Sequence, residues 1–177
     1  MTSQDYIALI DSYGGHFSLR EFHIQDGIER MDTSFLRSYL AWRKWHGFST
    51  LISSTWRKDD PNAHGKGMAI DNLLFTQWRE AQPTAMHHWL LASTWPFKGV
   101  GLYFDWNYLD RSRNRDIPAI GLHVDGWDGD RPGQRPLRWL RIDGNYYYQS
   151  VTYGSFYCQA NGQTTSLQKA INQHSGQ

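Results

Sequence analysis

Ile52-Ser-Ser-Thr-Trp-Arg-Lys-Asp-Asp-Pro-Asn-Ala-His-Gly-Lys-Gly-Met-Ala-Ile-Asp71 is the stretch on which the fold and the chemistry of this chain turn. Within it, His64, Gly67, Ala69 and Asp71 make a His-x-x-Gly-x-Ala-x-Asp pattern, with an imidazole and a carboxylate on either side of a tight turn of small residues. Strand signals flank the turn. Phe48 to Ser54 is short, apolar and β-branched, and after a loop rich in Asp, Pro, Asn and Gly a second strand is expected from Met68. Side chains on a strand alternate faces with a period of two, so Ala69 and Asp71 share one face. The pattern reads as half of a zinc site. Leu73 to Ala81 is equally compatible with a helix.

The other half lies downstream. Gly99 to Asp105 and Ala119 to Asp125 read as two strands of a long-looped hairpin, joined through the polar stretch Arg111 to Asp116. His123 and Asp125 stand two apart and share a face. Catalytic zinc takes three protein ligands from His, Asp and Glu and leaves a fourth position open. His64, Asp71 and His123 fill that set, each beside small residues. The plain alternative is a hydrogen-bonded His–Asp pair in an ordinary α+β domain.

Around this centre the sequence predicts helices over Ser3 to Tyr13, from Ser18 to the stop at Gly27, over Asp32 to His46, over Thr84 to Thr94, and in the tail beyond Gln163. In the third of these, Phe35, Leu36, Tyr39, Leu40 and Trp42 form a core-facing stripe, with Asp32 or Thr33 as N-cap. A further hairpin, Leu137 to Ile142 and Tyr146 to Thr152, turns at Asp143-Gly144-Asn145. Its aromatic continuation, Tyr146, Tyr147, Tyr148, Tyr153, Phe156 and Tyr157, suits cross-strand pairing, with stacking on sugar rings as the other reading. His16 and His23 are isolated from other ligand types. His87 and His88 are adjacent, so they diverge, and are expected at the surface or behind a ligand.

With 177 residues the chain is the size of one domain and needs no staples to bury a core. Lys and Arg (18) balance Asp and Glu (17), which gives no field to draw nucleic acid or an anionic membrane. The single cysteine, Cys158, excludes an intramolecular disulfide and a Cys-rich zinc finger. It is expected to be a small buried apolar residue. Neither a signal peptide nor an apolar run able to span a bilayer is expected. Arg57 offers a planar fork of donors that fits a substrate carboxylate, the alternative being a surface salt bridge with Asp59 or Asp60.

Taken in order, Phe17-Ser-Leu-Arg-Glu-Phe-His-Ile-Gln-Asp-Gly27, Ser53-Ser-Thr-Trp-Arg57, His64-Gly-Lys-Gly-Met-Ala-Ile-Asp71, Gly99-Val-Gly-Leu-Tyr103 and Leu122-His-Val-Asp125 resemble the zinc peptidases of D-Ala-D-Ala carboxypeptidase type. These share the Hedgehog/DD-peptidase fold with L-alanyl-D-glutamate endolysins. The resemblance spans Phe17 to Trp139. It implies an α+β fold with a small antiparallel sheet flanked by helices, zinc on His64, Asp71 and His123, a substrate-binding Arg57, and a peptidoglycan stem peptide as substrate. Two positions depart from the pattern. Asn62 stands where relatives have Ser, and Ile120 stands three residues before the last histidine, where many carry an acidic general base. Asp125 is the first substitute for that base, unless it orients a ligand histidine; Asp116 and Asp105 follow. The resulting expectation is one domain over residues 1–177 that hydrolyses an amide bond in the cell wall. It would be made in the cytoplasm and act after release as a phage lysis protein, or act as part of a virion. A zinc-holding binding or structural module that has lost its base is the second expectation.

Overall fold

The structure, a computed structural model, describes residues 2–14, 22, 28–47, 50–74, 84–110, 114–129, 136–150 and 154–174. Apart from Phe22, the predicted helix from Ser18 to Gly27 lies outside the described residues, as do the ambiguous stretch beyond Leu74 and the ends of the expected strands at Phe48 and Thr152. Four α-helices occur among the described residues: α1 (Ser3–Ser12), α2 (Thr33–His46), α3 (Ala85–Thr94) and α4 (Leu167–His174). Local chemistry sets their ends. Thr2 and Asp5 cap α1 reciprocally, and Asp32 caps α2 by accepting the Phe35 N–H at 2.8 Å. Gly47 stops α2 in the left-handed region, at φ 70°.

Among the described residues eight strands form one sheet: β1 (Leu51–Ser54), β2 (Ala69–Leu74), β3 (Gly99–Asp110), β4 (Arg115–Asp125), β5 (Leu137–Ile142), β6 (Asn145–Gln149), β7 (Ser155–Tyr157) and β8 (Thr164–Ser166). Their spatial order is β1-β2-β4-β3-β5-β6-β7-β8. The sheet is therefore larger than the sequence suggests. It is also not wholly antiparallel, because β3 and β5 run parallel, residue 99 beside residue 137. That seam joins an N-terminal half to a C-terminal meander. β3 and β4 also run further than expected, with Pro118 inside β4 opposite Asn107. Pro118 is tolerated because β2 pairs only with residues 120–125, so no β2 ladder bond there needs its missing N–H.

Alternation divides the sheet into two unlike faces. One carries Ile70, Val100, Leu102, Leu122, Val124 and Leu140, all buried, and packs into a single core with residues from all four helices. The expected stripe of α2 lies in this core, and so does Cys158. Complete burial of each large side chain contributes about 1.5–3 kcal/mol. Asn72 is fully buried on the same face. Its Oδ1 accepts from the Tyr39 hydroxyl at 2.5 Å and the Thr50 hydroxyl at 2.9 Å, and its Nδ2 donates to the Leu122 carbonyl at 3.2 Å. Satisfied in this way, the amide ties α2, β2 and β4 together and helps hold the register that sets Asp71 opposite His123 on the other face. No helix among the described residues is long and apolar enough to cross a membrane.

Candidate metal centre

His64 reaches the open face of the sheet through the turn that follows β1. Gly67 adopts φ 69°, and a Cβ there would come within 2.1 Å of the Arg30 carbonyl oxygen, so two separate constraints demand glycine. The turn is closed by Met68 N–H donating to Ala63 O at 2.9 Å, and docked by Asp32 N–H donating to Gly67 O at 2.9 Å. His64 Nδ1 lies 2.5 Å from the Thr55 carbonyl oxygen. A ring nitrogen facing a carbonyl carries a proton, so Nε2 is the nitrogen placed to offer a lone pair to a metal.

That Nε2 is buried, makes no hydrogen bond to any described residue, and lies 3.2 Å from Asp71 Oδ2. On the other side Asp71 Oδ1 is 2.7 Å from His123 Nδ1. One donor atom from each of His64, Asp71 and His123 lies within 4.8 Å of the others, and all three residues are buried. The set fits a metal ion: two imidazoles and a carboxylate converge, and one of the imidazole nitrogens is a buried atom without another bond. Nitrogen donors in this proportion suit zinc better than the all-oxygen preference of calcium or magnesium.

Asp125 is not where a base for this site would stand. Its side chain is completely buried, with Oδ2 2.9 Å from His123 Nε2 and Oδ1 accepting the Trp127 N–H at 3.1 Å. It lies behind His123, on the ring nitrogen opposite the one that faces Asp71. The cross-strand neighbour of Asp125 is Gly99, whose hypothetical Cβ would lie 2.2 Å from that same Oδ2. The other two candidates are also removed. Asp116 is exposed near the far end of β4, about 23 Å along the strand from His123 at 3.3 Å per residue. Asp105 Oδ2 accepts the Gly144 N–H at 2.9 Å and pairs with Arg141 Nε at 3.3 Å, tied to the β5–β6 turn. Ile120 points into the main core.

The electrostatics follow from this chain of contacts. Burial alone would raise the Asp71 carboxyl, but attraction to the neighbouring His64 and the hydrogen bond from His123 hold it well below the usual carboxylate range. Burial likewise opposes a charge on His123, yet its bonds to Asp125 and Asp71 raise it to about 9. Arg57 also contacts the Asp71 carboxylate through Nη2, while its Nε donates to Ser54 Oγ at 2.8 Å. Its pairing with Asp60 is looser, at 3.7 Å.

These groups open onto a cleft of about 400 Å³, lined by Arg57, Asp60, Asn62 and the three candidate ligands and continuing over aromatic rings of β3, β5 and β6. Asp60 is the one lining carboxylate outside the ligand set among the described residues. Sequence reading weighed it only as a partner for Arg57. The signal was present: Asp60 sits in the same loop as Asn62, whose N–H it accepts at 2.7 Å. His88 corrects a further expectation. It is buried beside His46, ring centroids 5.9 Å apart, on the helix side of the sheet, whereas His87 is exposed. Compared with known proteins, the chain matches no family model, no curated protein and no solved structure.

Proposed function

We propose that this protein is a zinc-dependent peptidase that hydrolyses an amide bond in the stem peptides of bacterial peptidoglycan. The observation that carries the reading is the buried convergence of His64, Asp71 and His123 at the head of a cleft, with a guanidinium at its rim. A bound zinc supplies Lewis-acid polarisation of a carbonyl and lowers the pKa of water toward neutrality. His64 Nε2, the Asp71 carboxylate and His123 Nδ1 would hold the ion. Asp125 fixes the orientation of His123 from behind, as carboxylates behind metal-bound histidines do. Arg57, braced by Ser54, presents the guanidinium N–H groups left over from its bonds to Ser54 and Asp71 to a substrate carboxylate. Asp60 is the carboxylate left in the cleft to accept a proton.

The test is mass spectrometry of fragments released from purified peptidoglycan, with zinc in one arm and a chelator in the other. Release of one defined peptide or of D-alanine, abolished by the chelator, is the expected result. A second reading, a zinc-holding binding or virion structural module of the same fold, is favoured by the burial of Ile120 and of Asp125. Stoichiometric zinc in the purified protein without any release would select that module and overturn the peptidase.

A further inference from the structure

The cleft does not end at the candidate ligands. Its floor continues over β3, β5 and β6 as a row of rings that starts at His123, with the Trp139 centroid 5.2 Å away and Tyr103 at 6.3 Å. Trp106 stacks on Tyr103 at 4.7 Å, their planes 25° apart. Tyr146 meets Tyr103 edge-on at 6.3 Å, and Tyr148 lies 6.4 Å from Tyr146 with ring planes only 17° apart. Tyr103, Leu137 and Trp139, with Trp106 and Tyr148 against them, make an apolar cluster separate from the main core.

Two backbone devices lay the indoles along the floor. The irregularity in the β3–β4 ladder between Tyr103 and Trp106 re-aims Trp106 across Gly121, where a Cβ would come within 2.2 Å of the indole. Trp139 crosses Gly101 in the same way, also at 2.2 Å. The Arg141 guanidinium sits 5.6 Å from the Tyr103 centroid and 5.8 Å from that of Tyr146, held by Asp105. Tyr146, at the outer end, is 41% exposed.

We propose that this platform is a saccharide subsite, and that the cleft takes a pyranose of an amino-sugar polymer beside the peptide. The C–H face of a pyranose packs on aromatic faces, while planar polar side chains on the walls, here Arg141, Asn62 and Asp60, suit hydroxyl and N-acetyl groups. Two other ligand classes fit less well. An extended peptide binds a sheet by adding a strand at an edge, but the platform lies mid-sheet and the edges are β1 and β8. Nucleic acid needs a basic field, and the chain carries a net charge of only +1 with carboxylates in the cleft. The identity of the polymer, the glycan that bears the stem peptide, rests on the peptidase reading; the stacking chemistry does not.

The experiment titrates tetra-N-acetylglucosamine into the full chain, followed by tryptophan fluorescence, with maltotetraose and a sugar-free stem peptide in parallel arms. Saturable binding of the amino sugar is expected, weakened on the order of 10-fold in Tyr146→Ala and in Tyr148→Ala, as loss of a stacking contact predicts. Circular dichroism confirms that both variants fold. No binding of the amino sugar, or binding untouched by both substitutions, overturns the subsite, and equal binding of maltotetraose overturns the amino-sugar assignment. Sugar binding without peptide release from peptidoglycan keeps the subsite and removes the peptidase reading. Release without sugar binding removes the subsite alone.

Discussion

The two faces of the sheet use the same strands for opposite purposes. Toward the helices, Ile70, Leu122 and Val124 fill a close-packed apolar core. Toward the cleft, their immediate neighbours Asp71, Gly121, His123 and Asp125 are small, polar or titratable, and the indoles of Trp106 and Trp139 are laid over Gly121 and Gly101. A one-residue slip would exchange the two sets, so the core that stabilises the fold also fixes the register of the ligands. Histidine shows the contrast most sharply. Burial drives His46 down to about 3 and His88 to about 4 on the helix side, whereas carboxylates hold His123 up at about 9 despite its burial.

The largest effects test whether the faces are separable. On the zinc reading, Asp71→Ala, His64→Ala or His123→Ala is expected to remove roughly nine-tenths of the bound zinc, measured by metal analysis, because each takes one of three candidate ligands. Leu122→Ala, on the other face, is expected to cost about 2–5 kcal/mol in denaturant unfolding while the folded fraction keeps its zinc. Full zinc in all three ligand variants would break the comparison.

A smaller effect sharpens it. Asp125→Asn keeps the shape behind His123 but removes the charge, and is expected to weaken zinc affinity by about 10- to 100-fold without emptying the site. An affinity equal to that of the unaltered protein would show that Asp125 serves only to fill the space opposite Gly99.

A further effect is a pH dependence of opposite sign on the two faces. In the metal-free protein His123, raised to about 9, keeps its contribution below about pH 6.5 and loses it as the pH rises toward 9, whereas the helix-side histidines lose theirs as the pH falls. His46 and His88 have folded pKa values below the ordinary 6.5, so their contribution is complete above about pH 6.5 and is lost as the pH falls toward 4 and 3. Asp71, held low, does not begin to withdraw its contribution until the pH falls below about 3.8. Between pH 7 and 5, unfolding stability is expected to drop by about 1–2 kcal/mol per histidine. A flat profile over that interval would break the assignment of both residues to the neutral core.

The candidate ligand set was legible because it needs only a turn that glycine permits and the alternation of two strands. The orientation of Asp125 was not. Spacing places it on the face of His123, but whether it faces the candidate metal site or the back of the ring depends on the space left by Gly99 across the ladder, a tertiary fact. His88 escaped for a related reason: adjacency to His87 says that the two diverge, not which one meets the core. The aromatic platform depends on the ladder irregularity after Tyr103 and on the parallel seam, neither of which has a local signature. The role of the α2 stripe was plain from its period alone.

The seam also orders events in time. The meander from β5 to β8 pairs neighbours in sequence, Ile142 with Asn145 and Ser155 with Ser166, and closes small loops. Bringing β3 beside β5, or His123 beside Asp71 from 52 residues away, closes far larger ones, at a greater entropic cost. Loop-closure cost thus ranks the platform's hairpin early in folding and the complete ligand triad late. Zinc would then meet its third ligand only once the sheet has zipped, acting as a seal on the finished structure and not as the seed from which it grows.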